Sequence, residues 1–285
     1  MSHAVDRSPP TLEDMSPAPA VKARPTAAFF DLDKTIIARS STFAFSREFQ
    51  AGGLISRGTV LRSAYTQFLY VIGGADHDQM EKMRQFMSQL CTGWDVATVR
   101  EIIADTLQNI IEPMVYAEAV RLIAEHHEAG RDVIIVSTSG AEMVEPIGEM
   151  LGADHVVATR LEVDEGKYTG KIRFYAYAEN KAKAITDLAR KRGYDLERSY
   201  AYSDSATDVP MLDAVGHAYA VNPDKELRKV ARERGWPVLI FEKPVALRRE
   251  VSMPPAKPTL TAVGLSAALA VIGAAWWRTH RRNAA

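Results

Sequence analysis

A short apolar run that ends in two carboxylates constrains this chain most. Residues 27–35 have the sequence AAFFDLDKT, in which Asp31 and Asp33 follow four apolar residues. Side chains two residues apart on a strand point to the same side, so both carboxylates should leave the end of a buried strand together. Open α/β sheets bind ligands at the edge where the carboxyl ends of their strands lie. Two adjacent carboxylates repel each other unless a cation lies between them or one is protonated, so the motif predicts a divalent metal, with Mg²⁺ expected first.

The same motif has a simpler interpretation. In a loop, Asp31 and Asp33 would only accept hydrogen bonds from nearby backbone amides, as Asp does in turns. The motif alone does not separate these two interpretations, so the decision depends on what the rest of the chain brings to the same edge.

Composition places the chain among ordinary globular proteins. It has 285 residues, of which 47% are hydrophobic and 25% charged, and a formal net charge of -1. A nearly neutral chain gives no electrostatic argument for nucleic acid, and we expect none as a partner. The single cysteine, Cys91, cannot form an internal disulfide, which fits a reducing, cytoplasmic setting.

Two segments flank or interrupt the predicted sheet. Residues 1–26 contain five prolines and almost no large apolar side chain, which predicts a disordered tail. Residues 40–112 carry apolar side chains at helical spacing, which predicts an all-helical cap inserted after the first strand. The four helices predicted in it are 42–51, 57–72, 76–90 and 95–111.

From residue 113 to 241 helices and strands alternate, which is the mark of a doubly wound parallel sheet. We therefore predict an α/β, Rossmann-like core made of 27–39 and 113–241. Within it, 133–136 and 155–158 are predicted as short buried strands and 160–174 as a hairpin.

The C-terminal part predicts a membrane anchor. Residues 242–257 are polar and contain prolines, which indicates a linker. The next segment, 258–278, begins with twenty uncharged residues, the length that spans a hydrocarbon core. Only six of its side chains are strongly apolar, so insertion is favourable but marginal. Two tryptophans and three arginines close it, as at a membrane interface.

This segment sets the expected localisation. We expect a single transmembrane helix in the cell membrane, with the catalytic domain in the cytoplasm; the alternative is a buried helix of the domain. A stripe of small residues along the helix favours a homodimer through the span as much as it favours a plain anchor. The stripe consists of Ala262, Ser266, Ala270 and Ala274.

Further polar groups fall where the carboxyl edge of the sheet should lie. Ser137 ends a predicted strand and opens a helix, so its hydroxyl and the amides of Thr138 and Ser139 are placed to hold a phosphate oxygen; an N-cap is the alternative. Lys181 begins a helix, where it suits a bound anion, although alone it would be a surface lysine. Asp204 ends another strand, and Asp208 lies one helical turn later on the same face, unless it only caps the next helix.

With these motifs in this order, the chain resembles the haloacid dehalogenase superfamily of Mg²⁺-dependent phosphohydrolases. Within that superfamily it is similar to the type-IB branch, which includes phosphoserine phosphatases and has a helical cap between the first two motifs. The resemblance covers about residues 27–241.

The resemblance implies a role for each residue. Asp31 would be the nucleophile that becomes a phosphoaspartate, and Asp33 would protonate the leaving oxygen and then activate water. Mg²⁺ would be held by Asp31, the Asp33 backbone carbonyl and Asp204, with Asp208 in support. The phosphoryl oxygens would be held by Ser137, the Thr138 amide and Lys181.

Three departures from the branch bear on the substrate. Lys34 replaces a common glycine, and Thr207 replaces an asparagine. Ser40 stands where phosphoserine phosphatases carry a glutamate that meets the substrate ammonium. The expected activity is therefore hydrolysis of a small phosphorylated metabolite or lipid head group. The alternatives are a phosphoserine phosphatase of serine biosynthesis and a membrane-bound, non-catalytic scaffold.

Overall fold

A central sheet organises the residues that the computed structural model describes, which are 24–55, 85 and 88–242. Its strands are β1 (Ala27–Phe30), β2 (Asp132–Gly140), β3 (His155–Asp164), β4 (Lys167–Phe174), β5 (Tyr200–Ser203), β6 (His217–Val221) and β7 (Val238–Leu239). The seven strands lie in the order β4-β3-β2-β1-β5-β6-β7. All neighbouring pairs are parallel except β3 with β4.

Helices connect the strands, and glycines end several of them. In the described ranges the helices are α1 (Ser41–Ala44), α2 (Ser46–Ala51), α3 (Val96–Ile110), α4 (Ala117–Glu128), α5 (Ala141–Leu151), α6 (Glu179–Arg192), α7 (Val209–Asp213) and α8 (Lys225–Arg234). After α5, α6 and α8 the chain turns at a glycine in the left-handed conformation, which other residues adopt only with strain.

The strand β1 lies at the centre of the core because its four residues are all buried. Phe29 packs in a hydrophobic cluster with Ile134 of β2, Ile185 of α6 and Leu227 of α8. On the opposite face, Phe30 stacks on Tyr202, with ring centroids 4.5 Å apart. The neighbours β2 and β5 lie on either side of β1, so the strand order reverses there and opens a crevice at its carboxyl end.

The predicted α/β, Rossmann-like core is confirmed, with one change at its edge. The hairpin predicted over 160–174 is present, and Glu165 and Gly166 form its turn at positive φ. The strand predicted at 155–158 is confirmed, but its predicted end at residue 158 is wrong. Those residues begin β3, which pairs in parallel with β2 and continues into antiparallel pairing with β4.

The predicted cap is described only in part. Its first predicted helix, 42–51, appears as α1 and α2, and its last, 95–111, as α3. All of 57–72 and most of 76–90 lie outside the described residues. The all-helical cap over 40–112 therefore stays a prediction.

Backbone hydrogen bonds join the end of the cap segment to the hairpin, a connection that the sequence did not predict. The Gly93 amide donates to the Tyr168 carbonyl at 2.8 Å, and the Tyr168 amide donates to the Trp94 carbonyl at 3.1 Å. The Val96 amide donates to the Gly166 carbonyl at 3.0 Å. We call these contacts between residues 93–96 and 166–168 the cap junction.

Residues 24–26 contact the core, although the sequence predicted them as part of a disordered tail. The Arg24 guanidinium donates to the carbonyls of Gly193 and Tyr194, and the Thr26 carbonyl accepts from the Asp132 amide. The predicted end of the disordered tail at residue 26 is therefore wrong, while residues 1–23 lie outside the described part of the chain.

The expectation of a membrane anchor needs correction. Among the described residues, no helix combines the length and the apolar character needed to cross a membrane. The segment 258–278 and the linker from residue 243 onward fall outside those residues. The sequence signal was weak because most of that segment is Ala, Gly, Ser and Thr, which add little to insertion. The fold class is corrected to α/β with no transmembrane helix assigned, and the single-pass cell-membrane localisation falls with it.

Candidate active site

Both carboxylates of the opening motif follow β1 at the carboxyl edge of the sheet. The Asp31 amide donates to the Tyr202 carbonyl of β5 at 2.9 Å, and the residue is 6% exposed. The chain then turns, with the Ile36 amide donating to the Leu32 carbonyl at 2.9 Å. Lys34 adopts a left-handed φ of 63°. That conformation costs a lysine roughly 1 to 3 kcal/mol, so the surrounding structure must hold the turn.

Lys181 joins two of the acidic motifs. Its Nζ donates to Asp31 Oδ1 at 2.6 Å and to Asp208 Oδ2 at 2.8 Å, and the residue is 2% exposed. It is the third residue of α6, whose first turn faces the sheet edge. The surface-lysine interpretation is therefore wrong. We call Asp31, Lys181 and Asp208 the buried charge triad.

Asp204 and Asp208 belong to the loop that follows β5. Asp204 comes directly after the strand, and Asp208 ends a 3₁₀ turn that begins at Ala206. Asp208 Oδ2 also accepts a hydrogen bond from Ser203 Oγ at 2.7 Å. Although Asp208 precedes α7, its side chain makes no capping hydrogen bond, so the capping interpretation is wrong.

The charges at this edge strongly affect one another. Burial raises the pKa of Asp31 well above its usual range; Lys181 opposes the rise, and the neighbouring carboxylates add to it. Burial raises the pKa of Asp204 to about 7, although Lys34 opposes it. Burial alone would lower the pKa of Lys181, but Asp208 and Asp31 hold it above its ordinary value. The site thus has more negative charge than its lysines balance, which suits a bound cation.

Ser137 and Thr138 lie on a strand and not at the start of a helix. The strand β2 continues through both to Gly140, with an irregular register after Ser137, and α5 begins at Ala141. The predicted helix opening at Ser137 is therefore wrong, and so is its N-cap alternative. Ser137 is 1% exposed, and its Oγ accepts from the Ser139 amide at 3.2 Å.

Thr159 holds the last part of β2 in place through hydrogen bonds, a role that the sequence did not reveal. Its Oγ1 donates to the Thr138 carbonyl at 2.6 Å and accepts from the Ala176 amide at 3.2 Å. Thr138 Oγ1 in turn donates to the Ala176 carbonyl at 2.9 Å. These bonds tie β2 and β3 to the loop before α6, and so set Thr138 and Lys181 relative to each other.

Two serines hold Asp33 through contacts that the sequence did not predict. Its Oδ1 accepts from the Ser41 amide at 2.6 Å, and its Oδ2 accepts from Ser139 Oγ at 2.9 Å. The sequence pointed only to the Ser139 amide, as a donor to phosphate, because the contact of a serine with Asp33 depends on the fold that brings the two together.

The donor set fits Mg²⁺ with the ligands that the resemblance implies. In the described ranges, no three His, Cys, Asp or Glu side chains are arranged to hold a metal ion. The Asp33 carboxyl is bound by serines, and the Asp208 carboxylate by Lys181 and a serine. Those two side chains would therefore support a metal site without ligating the ion, and the ligand set stays a prediction. The carboxylates of Asp31 and Asp204 and the Asp33 backbone carbonyl remain, and oxygen donors of this kind suit Mg²⁺, which keeps several waters.

Comparison with known proteins supports the same chemistry. The family model described as haloacid dehalogenase-like hydrolase matches residues 28–213, which include every predicted site residue. The "Inhibition of morphological differentiation protein" of Streptomyces azureus is 60% identical over 262 residues, 90% of this chain and 94% of that protein. A probable phosphatase of Mycobacterium tuberculosis H37Rv is 57% identical over 267 residues, 93% of this chain and 92% of that protein. A phosphoserine phosphatase of the same strain is 32% identical over 246 residues, 86% and 80% of the two chains.

Proposed function

Because this chain belongs to the haloacid dehalogenase-like hydrolases and is a phosphatase, we propose that it hydrolyses phosphomonoesters with Mg²⁺ through a phosphoaspartate on Asp31. The observation that carries the proposal is the buried charge triad. Removing each ionised group from water costs several kcal/mol, even when the group is paired. A scaffold without catalytic activity would have no use for such an arrangement. A buried carboxylate beside a lysine is instead suited to attack an anion whose charge the site neutralises.

We assign the Mg²⁺ ligands to the Asp31 and Asp204 carboxylates and the Asp33 backbone carbonyl. The raised pKa of Asp31 and of Asp204 supports this, because it arises from burial first and then from the neighbouring carboxylates, and a bound cation would stabilise the charged form against both. When bound, Mg²⁺ would supply positive charge at the oxygens of the transferring phosphoryl group. Asp208 would keep Lys181 in place.

The phosphoryl group would be held by three donors. Lys181 Nζ reaches Asp31 directly, so it also reaches an anion in contact with Asp31. The Ser137 hydroxyl and the Thr138 amide lie at the end of β2, which is the direct neighbour of β1. Their places at adjacent strand ends support binding of one phosphoryl group between them.

The first half of the reaction forms the covalent intermediate. An Asp31 oxygen attacks phosphorus as the bond from phosphorus to the ester oxygen breaks. The departing alkoxide takes a proton from Asp33 and leaves as the alcohol. Asp33 is then a carboxylate.

The second half regenerates the enzyme. Asp33 takes a proton from a water molecule as the water oxygen attacks phosphorus, and the bond from phosphorus to Asp31 breaks. Inorganic phosphate leaves, Asp31 is again a carboxylate and Asp33 is again protonated. Asp33 therefore acts as the acid in the first half of the reaction and as the base in the second half.

We propose a phosphomonoester substrate whose remaining part carries no ammonium group, either a small phosphorylated metabolite or a lipid head group. Ser40 lacks the negative charge that would pair with a substrate ammonium. The phosphoserine phosphatase among the relatives keeps phosphoserine as the second candidate. The net charge of -1 favours a small molecule over nucleic acid. A homodimer stays a prediction.

Replacement of the nucleophile tests the proposal. Asp31→Asn should lower phosphate release from 4-nitrophenyl phosphate by several orders of magnitude, because it removes the attacking charge. Thermal unfolding should stay close to that of the unchanged protein, since Lys181 keeps Asp208 as a partner. Asp105→Asn, at an exposed position of α3, is the matched control. A folded Asp31→Asn protein with turnover within about tenfold of normal would contradict the mechanism.

A further inference from the structure

Asp33 lies at the end of a chain of two buried hydroxyls. Ser41 Oγ donates to Ser139 Oγ at 2.9 Å, and Ser139 Oγ donates to Asp33 Oδ2 at 2.9 Å. The Ser41 amide donates to the other oxygen, Oδ1, at 2.6 Å. Ser41 is 0% and Ser139 8% exposed. We call this arrangement the serine clamp.

The serine clamp fixes the orientation of the Asp33 carboxyl group. A carboxyl group turns easily about its last side-chain bond, whose torsion is broad. One donor on each oxygen removes that freedom, and a hydrogen bond is electrostatically stronger where water is excluded. Asp33 is only partly buried, so its two buried serine partners supply the rigidity.

The serine clamp also connects three parts of the fold. Asp33 follows β1, Ser139 lies on β2, and Ser41 is the first residue of α1, where the predicted cap begins. A displacement of α1 would therefore move both the Ser41 amide and the Ser41 hydroxyl that supports Ser139.

We propose that Ser139, supported by Ser41, is a positioning residue that directs the Asp33 carboxyl to the leaving-group oxygen. The inference rests on the proposed function, in which Asp33 transfers a proton to that oxygen. Without the Ser139 hydroxyl, Asp33 turns away from it, while Asp31 attacks as before. The loss of kcat/KM then depends on the leaving group, because a leaving-group oxygen that is stable as an anion needs little protonation.

Two probes of nearly equal shape separate these effects, assayed on the full chain with Mg²⁺. Phenyl phosphate has the poorer leaving group, and 4-nitrophenyl phosphate the better one. Ser139→Ala should lower kcat/KM on the order of 10- to 100-fold for phenyl phosphate, and by less than about threefold for 4-nitrophenyl phosphate. Ser139→Thr, which keeps the hydroxyl, should restore most of the loss.

Matched variants distinguish positioning from general damage. Ser41→Ala should lower kcat/KM less than Ser139→Ala does, and again more for phenyl phosphate than for 4-nitrophenyl phosphate. The effects of the two substitutions should not add, because both act through the same chain of hydrogen bonds. Ser199→Ala removes a buried hydroxyl that bonds to the Ala27 amide and the Asp195 carbonyl at the other end of β1. It should change both probes by the same factor.

The outcomes are distinct. Equal losses on both probes in Ser139→Ala, or no loss, would overturn the inference and leave the proposed function standing. An unmodified enzyme that releases phosphate from neither probe would overturn the proposed function itself. If Ser139→Ala does not fold, Ser41→Ala decides, because equal effects on both probes there would also overturn the serine clamp.

Discussion

The carboxyl edge of the sheet and the cap junction hold their parts in opposite ways. At the edge, the parts are joined by side-chain ion pairs, because the buried charge triad links β1, α6 and the loop after β5. At the cap junction, backbone amides and carbonyls of residues 93–96 and 166–168 pair like strands. The first depends on particular residue types, whereas almost any residues can make the second. The sheet edge is therefore sensitive to the identity of three side chains, whereas the cap junction places few demands on side-chain identity.

The largest effect should follow from breaking the triad. Lys181→Met leaves two carboxylates without their shared cation, and loss of one partner of a buried ion pair costs about 3 to 5 kcal/mol of unfolding free energy. Phosphatase activity should be lost as well. Denaturant unfolding at pH 7 measures the first effect, and phosphate release the second.

The same helix offers the control for this test. Lys183 is exposed two residues further along α6, so Lys183→Met should change the unfolding free energy by less than about 0.5 kcal/mol. If the two variants were equally stable, side-chain charge would not be what holds the sheet edge together.

This contrast also explains what the sequence could predict. Asp31, Lys181 and Asp208 were predictable because each follows a strand or begins a helix, and parallel strands bring such positions to one edge. Ser137 was placed at a helix start because its strand seemed to end at residue 136, whereas β2 runs on through an irregular register to Gly140. No local pattern marks such an extension.

The missed residues share a different cause. Ser139 and Thr159 bond to Asp33 and Thr138, which are 106 and 21 residues away, and the Ser41 hydroxyl bonds to Ser139, 98 residues away. The backbone pairs of the cap junction also join distant parts of the sequence. Such contacts leave no period and no motif. The membrane prediction failed for another reason: it gave the length, the absence of charge and the Trp and Arg residues at the end more weight than the marginal free energy of insertion.

A second test adds a charge to the core by lowering the pH. His126 is 3% exposed, and its Nε2 lies 2.9 Å from the Tyr202 hydroxyl. Burial first, and then Arg131 and His127, lower the pKa of His126 to about 4. In the unfolded chain, His126 binds a proton near pH 6.5. The contribution of the neutral His126 to the unfolding free energy is therefore fully present above that pH and is lost as the pH falls toward 4. The loss should approach about 3 kcal/mol.

Comparison with a variant isolates this histidine from the acidic groups. His126→Gln cannot take up the proton, so its unfolding free energy should change less between pH 6.5 and 4 than that of the unmodified protein. Parallel curves would mean that the buried ring is not what makes the core sensitive to acid.

The smallest expected effect tests the hairpin beside the cap junction, where two glycines of one hairpin form a matched pair. Gly166 and Gly170 have φ of 76° and 83°, so alanine at either position should cost about 1 kcal/mol from the left-handed backbone alone. A Cβ at Gly166 meets nothing within 4 Å, whereas one at Gly170 would overlap the Thr92 side chain. Gly170→Ala should therefore be the less stable variant, by roughly another 1 kcal/mol.

A second substitution identifies the cause of that difference. Thr92 is exposed, so Thr92→Ala should cost little by itself and should remove the additional loss in Gly170→Ala while leaving Gly166→Ala unchanged. Thermal unfolding of the single and double variants measures this coupling. Equal stability of the two glycine variants would mean that the cap segment yields to the added methyl group. Side-chain packing at Thr92 would then have no part in holding the cap segment against the hairpin.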